Sequence, residues 1–555
     1  MRLFDESRRI KHSSGLMASK RILCLLLACG AALLANAQTT NTNQPQSTGQ
    51  TPAPAQAAST NLSPEALEPP HLRKTRLMSL DECIKLALEH NLDIQIQEYN
   101  PIVNQFLLNF NYGSWEPSLD FTANKRYTDS TGGLNPQTQN PYPPSISEVD
   151  TFVPELKGVT PWGLQYDASF NVQRVSEMGF SSTNNFPPFH YLPPDFPATV
   201  GVQLTQPLLK NFWIDNTRLQ IQLSKATLKE SEAALRLQVM TSVTAVKSAY
   251  FNLLYGRDNV KAQATAYQLA EQLVNENLKR VQVGALAPLD EKQSESQAAA
   301  SLALLHQAEY QLQTFENTLK GLIADNYSQW SDVSIIPAEE LVAVPQELNL
   351  QESWRKAVAQ RPELIEAKLK VQAQNVQLKY DLNQIFPELD IVGSYARNAT
   401  DATFDQDLTT LRHGNFSTYT YGAFVSIPLG GNMAARSQYK SGKATLKQLL
   451  LALKQTEQNI IIAVDNDVGN VQSQFQQVQA TRDARIYAQE ALDAERKKLE
   501  NGKSTSFVVL QLISNLTSAR VAEIQALANY NIALSQLALD EGSTLEANHI
   551  QLKLK

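Results

Sequence analysis

Cysteine is nearly absent from this chain. There are three in 555 residues, and Cys24 and Cys29 both lie in one apolar stretch near the start. Cys83 is left without a partner for an internal disulfide, and no Cys/His spacing suggests zinc. The seven histidines (His12, His71, His90, His190, His306, His413 and His549) are far apart in sequence. No Gly-rich phosphate loop and no G-x-S-x-G elbow occurs, so no catalytic residue, metal ligand or cofactor is expected from motifs, although a site assembled in space would not show in sequence. Basic charge is not concentrated: the formal net charge is -7, with Lys and Arg scattered, which argues against nucleic acid as a partner. Long hydrophobic runs are also missing. Beyond the N-terminal stretch no run of about 18 apolar residues is found, so no transmembrane helix is expected in the mature chain.

The N-terminal stretch reads as an export signal over residues 1–37. Lys20-Arg21 precede an apolar core from Ile22 to Leu34, and Ala35-Asn36-Ala37 supplies an A-x-A cleavage site. Two alternatives stand beside this: lipoprotein processing at Cys29, because Leu26-Leu27-Ala28-Cys29 resembles a lipobox, and translation from Met17 rather than Met1. Residues 38–76, rich in Thr, Gln, Pro, Ala and Asn without apolar periodicity, read as a disordered lead.

Order is expected from Ser79, where Ser79 and Glu82 form a capping box. Ile84, Leu88 and Leu92 follow at helical spacing, and the helix is expected to run to about Tyr112 with a possible kink at Pro101. The period then changes to two. Leu119, Phe121 and Ala123 alternate with polar neighbours, as do Leu164, Tyr166, Ala168, Phe170 and Val172, and Val200, Val202 and Leu204. Residues 128–147 and 181–197 read as loops. From about Asn216 the helical period takes over and holds to Val283, a length of roughly 100 Å at 1.5 Å per residue. Helices that long call for coiled-coil packing. A second helix is expected from Pro288 to about Asp325, and 326–349 reads as an irregular connector.

The sequence then begins again. Leu80–Asp93 compares with Leu350–Glu363 at an offset of 270, which still holds for Pro117, Leu119 and Asp120 against Pro387, Leu389 and Asp390. The reversal at Gly284 returns at Gly502, 218 residues on. This duplication divides the ordered chain into a first repeat, 77–325, and a second, 350–541, with a tail of 542–555. The second copy predicts a helix to about Gln384, strands at 388–398 and 418–427 separated by a polar loop, and helices at 433–501 and 505–540.

Few strands beside very long helices in an exported chain suggest a sheet that closes only with copies of itself, because open edges are not tolerated in lipid. Two strands per repeat make about four per protomer, and a trimer would hold about twelve. Aromatics near strand ends (Trp115, Tyr127, Trp162, Tyr166, Tyr191, Tyr395, Tyr419 and Tyr421) fit interfacial girdles. They fit equally the core of a periplasmic β-domain. The alternating stretch 163–173 exceeds that minimal count and can pair with 151–157 as a hairpin, inside the barrel or outside it.

The duplication, the order strand, long helix, Gly reversal, helix, and the Arg280…Gly284…Asp290 tip together resemble the TolC-type outer-membrane efflux protein family. The resemblance covers about 79–540. It implies a mixed, mainly α fold: a trimeric outer-membrane β-barrel continued by a long antiparallel α-helical barrel. It implies a passive exit duct for a tripartite efflux pump or type I secretion system, without chemistry of its own. The implied partners are two further copies, a periplasmic adaptor, an inner-membrane transporter and outer-membrane lipid.

The resemblance also assigns roles at the tips. The turns that meet the adaptor correspond to Val283-Gly284-Ala285 and Asn501-Gly502-Lys503, both departing from the family's leucine at the third position. Glycine at the reversal can adopt the left-handed conformation that ends a helix. Asp290 matches an acidic gate position of the first repeat, whereas Val508 and Gln511 stand where the second repeat would carry acids. A cation-binding acidic ring is therefore not expected. Closure is expected from an apolar constriction at Val508, with Asp290 paired to Arg280, Lys498 or Lys503. The competing reading is a trimeric coiled-coil spacer of the cell envelope without a pore. The exported substrate is not legible.

Overall fold

In a computed structural model the described residues are 74–551, apart from 135, 136, 138, 140, 143, 181–188, 192, 193, 285 and 286. The export segment 1–37, most of the lead 38–76 and tip residue Ala285 lie outside the described residues.

Order starts earlier than Ser79. Strand β1, Lys74–Met78, runs directly into the capped helix α1, Leu80–His90. Ser79 Oγ accepts from the Glu82 amide, as its position before an acidic first turn predicts. The helix expected to reach Tyr112 is two helices. Asn91 ends α1 and caps α2, Leu92–Tyr112, by accepting from the Ile94 amide at 3.1 Å, and Pro101 sits within α2. A single turn at Gly113–Trp115 leads to strand β2, Ser118–Ser130. The short β3, Gly133–Leu134, and β4, Pro141–Tyr142, pair with each other. Then come β5, Ser145–Val159; β6, Gln165–Phe180; β7, Phe189–Tyr191; and β8, Phe196–Pro207.

Helix α3, Asn216–Gln282, holds 67 residues, and α4, Pro288–Ile323, returns beside it. The connector expected to be irregular contains β9, Val333–Pro337, which pairs in parallel with β1. The second copy supplies α5, Leu350–Gln360; α6, Pro362–Asn383; β10, Glu388–Asp401; α7, Phe404–His413; and β11, Ser417–Ser426. The loop expected between its two strands is thus a capped helix, with Thr403 Oγ1 accepting from the Gln406 amide. Helix α8, Met433–Glu500, holds 68 residues, α9 covers Ser506–Asp540, and α10, Thr544–Ala547, is one turn. The duplication is plain in these lengths: helices of 67 and 36 residues in the first repeat return as 68 and 35 in the second.

The main sheet is antiparallel throughout and follows the order β11-β10-β8-β6-β5-β2, with β7 on the end of β6. Six strands lie along this path where about four were expected. The two additional ones, β5 and β6, form a hairpin inserted between β2 and β8.

The helices pack through small and apolar seams. Val239, Val243, Val246, Tyr250 and Leu253 of α3 are buried with Leu319 and Ile323 of α4, Ile335 of β9 and Met78 of β1. Ile460, Val464, Val468, Val471 and Val478 of α8 are buried with Ala526, Tyr530, Ala533 and Leu537 of α9. Burying each such side chain contributes about 1.5–3 kcal/mol relative to leaving it exposed. One helix among the described residues, α9, is long and apolar enough to cross a membrane by length and composition alone, which the sequence reading of apolar runs did not single out. Its buried seam packs on α8 and α3.

Candidate functional site

Both helical reversals are built alike. At the first, α3 ends as the Val283 amide donates to the Lys279 carbonyl at 3.2 Å and Gly284 to Val281 at 3.0 Å. Gly284 has φ +75°, and Pro288 opens α4 at a position that needs no amide. At the second, Asn501 donates to Lys497, Gly502 to Leu499, and Lys503 to Lys498 at 2.8 Å, a wrap that satisfies the last carbonyls of α8. Gly502 has φ +67°. A Cβ at either glycine would meet nothing within 4 Å, so the backbone conformation, not crowding, calls for glycine.

The two reversals lie at the same end of the helical part. Ala266, Ala270 and Leu273 of α3 form one buried cluster with Leu492 of α8 and Val509, Leu510, Ile513 and Leu516 of α9. Ser506 Oγ, at the first turn of α9, donates to Asn277 Oδ1 at 2.8 Å, with both residues buried. This bond joins the second tip to the first long helix. It was not foreseen, and the one available signal was polar residues on otherwise small or apolar helix faces.

The remaining site residues divide. Val283 is 79% exposed, and Leu289 and Phe507 beside the tips are also open, leaving apolar surface at the reversals. Gln511 shares a groove with Leu289, Lys292, Gln293, Phe507 and Leu510 between α4 and α9. Arg280 lines a separate groove with Glu276, Arg496, Leu499 and Glu500. Asp290 stands in the first turn of α4, where an acid favours the helix N-terminus. The expected pairing of Asp290 with Arg280, Lys498 or Lys503 is not found among the described residues. Lys498 instead reaches Glu495 at 2.8 Å, and Ser504 Oγ donates to the same carboxylate. These contacts hold the Glu495 carboxyl below the usual range, Lys498 first and Ser504 next. Val508 is partly exposed, at 39%. Among the described residues no cluster of His, Cys, Asp and Glu could hold a metal.

The arrangement combines a sheet whose outer strands β11 and β2 each pair on one side among the described residues, long helical hairpins, and exposed tips at one end. A profile of the outer membrane efflux proteins matches residues 194–325 and 354–540. The outer membrane protein TolC of Escherichia coli (strain K12) is 21% identical over 329 residues, covering 56% of this chain and 64% of TolC. The chain therefore spans somewhat under two thirds of that relative's length. The Campylobacter jejuni CmeC outer membrane channel superposes with a TM-score of 0.61 at 15% identity, covering 84% of this chain and 86% of CmeC. The outer membrane protein VceC from Vibrio cholerae gives 0.60 at 16% identity, covering 83% and 96%.

Proposed function

The chain belongs to the outer membrane efflux protein family, and we propose that it forms the outer-membrane exit duct of a tripartite efflux pump or type I secretion system. The observation that carries this reading is the pair of unpaired sheet edges. Among the described residues β11 pairs with β10 alone and β2 with β5 alone, leaving two rows of backbone donors and acceptors. In hydrocarbon each unsatisfied group costs several kcal/mol, so such a sheet enters a membrane only by closing with copies of itself. Every neighbouring pair along the six-strand path is antiparallel, so β11 of one copy runs opposite to β2 of the next. Closure by repetition then stays antiparallel. Three copies are the number that the family resemblance suggests.

The helices continue the duct through the periplasm, and the tips at Val283-Gly284 and Asn501-Gly502-Lys503 face its inner end. Exposed Val283, Leu289 and Phe507 give an adaptor an apolar footing there. The duct performs no chemistry. Transport energy comes from an inner-membrane transporter. The gate is set by Val508 and Gln511 of α9 with Asp290 of α4, Arg280 and Lys498 lying on the flanking helix ends. Among the described residues of its own protomer Asp290 is not paired with Arg280, Lys498 or Lys503, and in a ring of copies its cation comes from the next protomer. Single-channel conductance rises, or the closed state is lost, in Asp290→Ala or Val508→Ser; unchanged gating in both overturns this gate.

Cryo-electron microscopy of the purified full chain in lipid nanodiscs tests the overall reading. A threefold particle with one lumen running through the membrane layer and the helical part is expected. A particle whose helices pack without a lumen would establish the coiled-coil spacer instead.

A further inference from the structure

We propose that the inserted hairpin β5–β6 is part of the transmembrane wall, so that each copy contributes six strands and a trimer closes as a barrel of eighteen. This rests on the exit-duct reading above and concerns the bore of its outer-membrane part.

Register carries the argument. Leu119 of β2 stands opposite Leu156 of β5, Leu156 opposite Ala168 of β6, Ala168 opposite Val202 of β8, Val202 opposite Tyr395 of β10, and Tyr395 opposite Tyr419 of β11. One unbroken row across all six strands is thus apolar or aromatic. The neighbouring row on the other face is Ser118, Lys157, Asp167, Gln203, Ser394 and Thr420, polar at every position. Lys157 reaches Asp120 of the adjacent strand at 2.7 Å on that polar face. A wall between lipid and water requires this alternation on each of its strands. A hairpin lying outside the wall would not need to continue both rows in phase, since a one-residue slip exchanges its faces.

The hairpin also has the form of a short inner turn between wall strands. Thr160 and Leu164 close it, with the Thr160 amide on the Leu164 carbonyl at 2.8 Å and the Leu164 amide on Thr160 Oγ1 at 3.1 Å. Gly163 takes φ +91°, and the Arg218 guanidinium at the start of α3 lies against it. The turn is therefore seated where sheet meets helices, and the strand ends Ser130, Ser145, Phe180 and Phe196 fall at the opposite end. Gly158 faces Tyr166, whose ring occupies the space a Cβ would need, a device that shields a strand glycine. Pro154 lacks an amide, and the β5–β6 ladder skips Val153 and Pro154 while β2 still pairs with both.

Barrel diameter grows roughly linearly with strand number, so eighteen strands give about 1.5 times the bore of twelve, in the range where barrels leave an aqueous channel. The outer-membrane part is then wider than a four-strand protomer would make it, and size selection passes to the helical tips.

The test uses single cysteines in the full chain, labelled with bimane and placed in nanodiscs of ordinary or dibrominated phosphatidylcholine. Cys83 is wholly buried, so among the described residues the introduced thiol takes the label. Leu156→Cys and Ala168→Cys are expected to lose fluorescence in brominated lipid as fully as Val202→Cys and Tyr419→Cys on the flanking strands. Ser169→Cys is expected to keep its fluorescence and to react with a membrane-impermeant thiol reagent. Quenching at Val202 and Tyr419 without quenching at Leu156 and Ala168 would put the hairpin outside the wall and overturn the proposal alone. No quenching at any of the four would overturn the barrel itself, and the proposal with it.

Discussion

Ser506 and Asn277 are joined by a buried hydrogen bond of 2.8 Å that links the first turn of α9 to the last quarter of α3, just inside the two tips. They belong to different repeats, so this bond couples the two reversals directly. Ser506→Ala leaves Asn277 Oδ1 buried without its donor, at a cost of about 1–3 kcal/mol. Hydrogen exchange is expected to accelerate at 500–510 and 275–284 while the seam around Tyr250 stays protected. Exchange that is unchanged at the tips would show that the apolar cluster holds them without this bond.

The tip glycines make a second prediction. Neither Gly284 nor Gly502 is crowded, but both hold positive φ, so Gly284→Ala and Gly502→Ala each strain the turn by about 1–2 kcal/mol without collision. Global melting should move little, because tip turns bury little. Export coupled to an adaptor should fall in both variants, with the double variant worse than either. Equal export in all of them would remove the tips from the docking surface.

Lys320 and Glu316 form a buried ion pair at 3.2 Å, and Glu316 Oε1 also accepts from the Ile335 amide at 2.9 Å, fastening α4 to β9. Lys320→Met strands the carboxylate and is expected to destabilise the fold by about 3–5 kcal/mol. Adding Glu316→Gln keeps an acceptor for Ile335 without the charge and should restore most of the loss. Denaturant melts of the single and double variants check this.

Asp467 of α8 faces Asp540 of α9, which Arg361 holds at 3.0 Å. Burial, then the hydrogen bond and charge of Asp540, push Asp467 up to about 8, with Arg361 opposing. The folded value lies above the unfolded carboxylate value of about 3.9. Between the two the native state holds more protons, so stability is full at acid pH and declines as pH rises toward 8. The side chain is partly buried, so residual solvent screening keeps the slope under the ceiling of about 1.4 kcal/mol per pH unit. Asp467→Asn should flatten the decline in melts recorded from pH 5 to 9. A parallel decline in the variant would place its origin elsewhere.

Local signals were the legible ones. Helix α3 was expected over 216–283 and spans Asn216–Gln282, because a 67-residue apolar seam is a strong periodic signal. Both tip glycines were read from glycine chemistry alone. The strand count was not. Alternation in 163–173 reveals a strand, and its expected hairpin with 151–157 is found as β5–β6, but the insertion of that hairpin between β2 and β8 is a long-range fact. The pairing of β1 with β9 unites five-residue segments far apart in sequence, too short for a period to register. Helix α7 was hidden in a polar stretch whose apolar positions, Phe404, Leu408 and Leu411, are few. Asn91 escaped notice because helical spacing continues across it from Leu88 to Leu92. At the site, the residues were found by resemblance, whereas their partners depend on which side chains meet: Lys498 turns to Glu495 within its own helix.

The most direct measurement of the central claim is the current through a planar lipid bilayer containing the purified full chain. The account predicts discrete, long-lived conductance steps, larger or less readily closed in Asp290→Ala and Val508→Ser. A bilayer that holds the protein yet passes no current in the native chain or either variant would contradict a conduit.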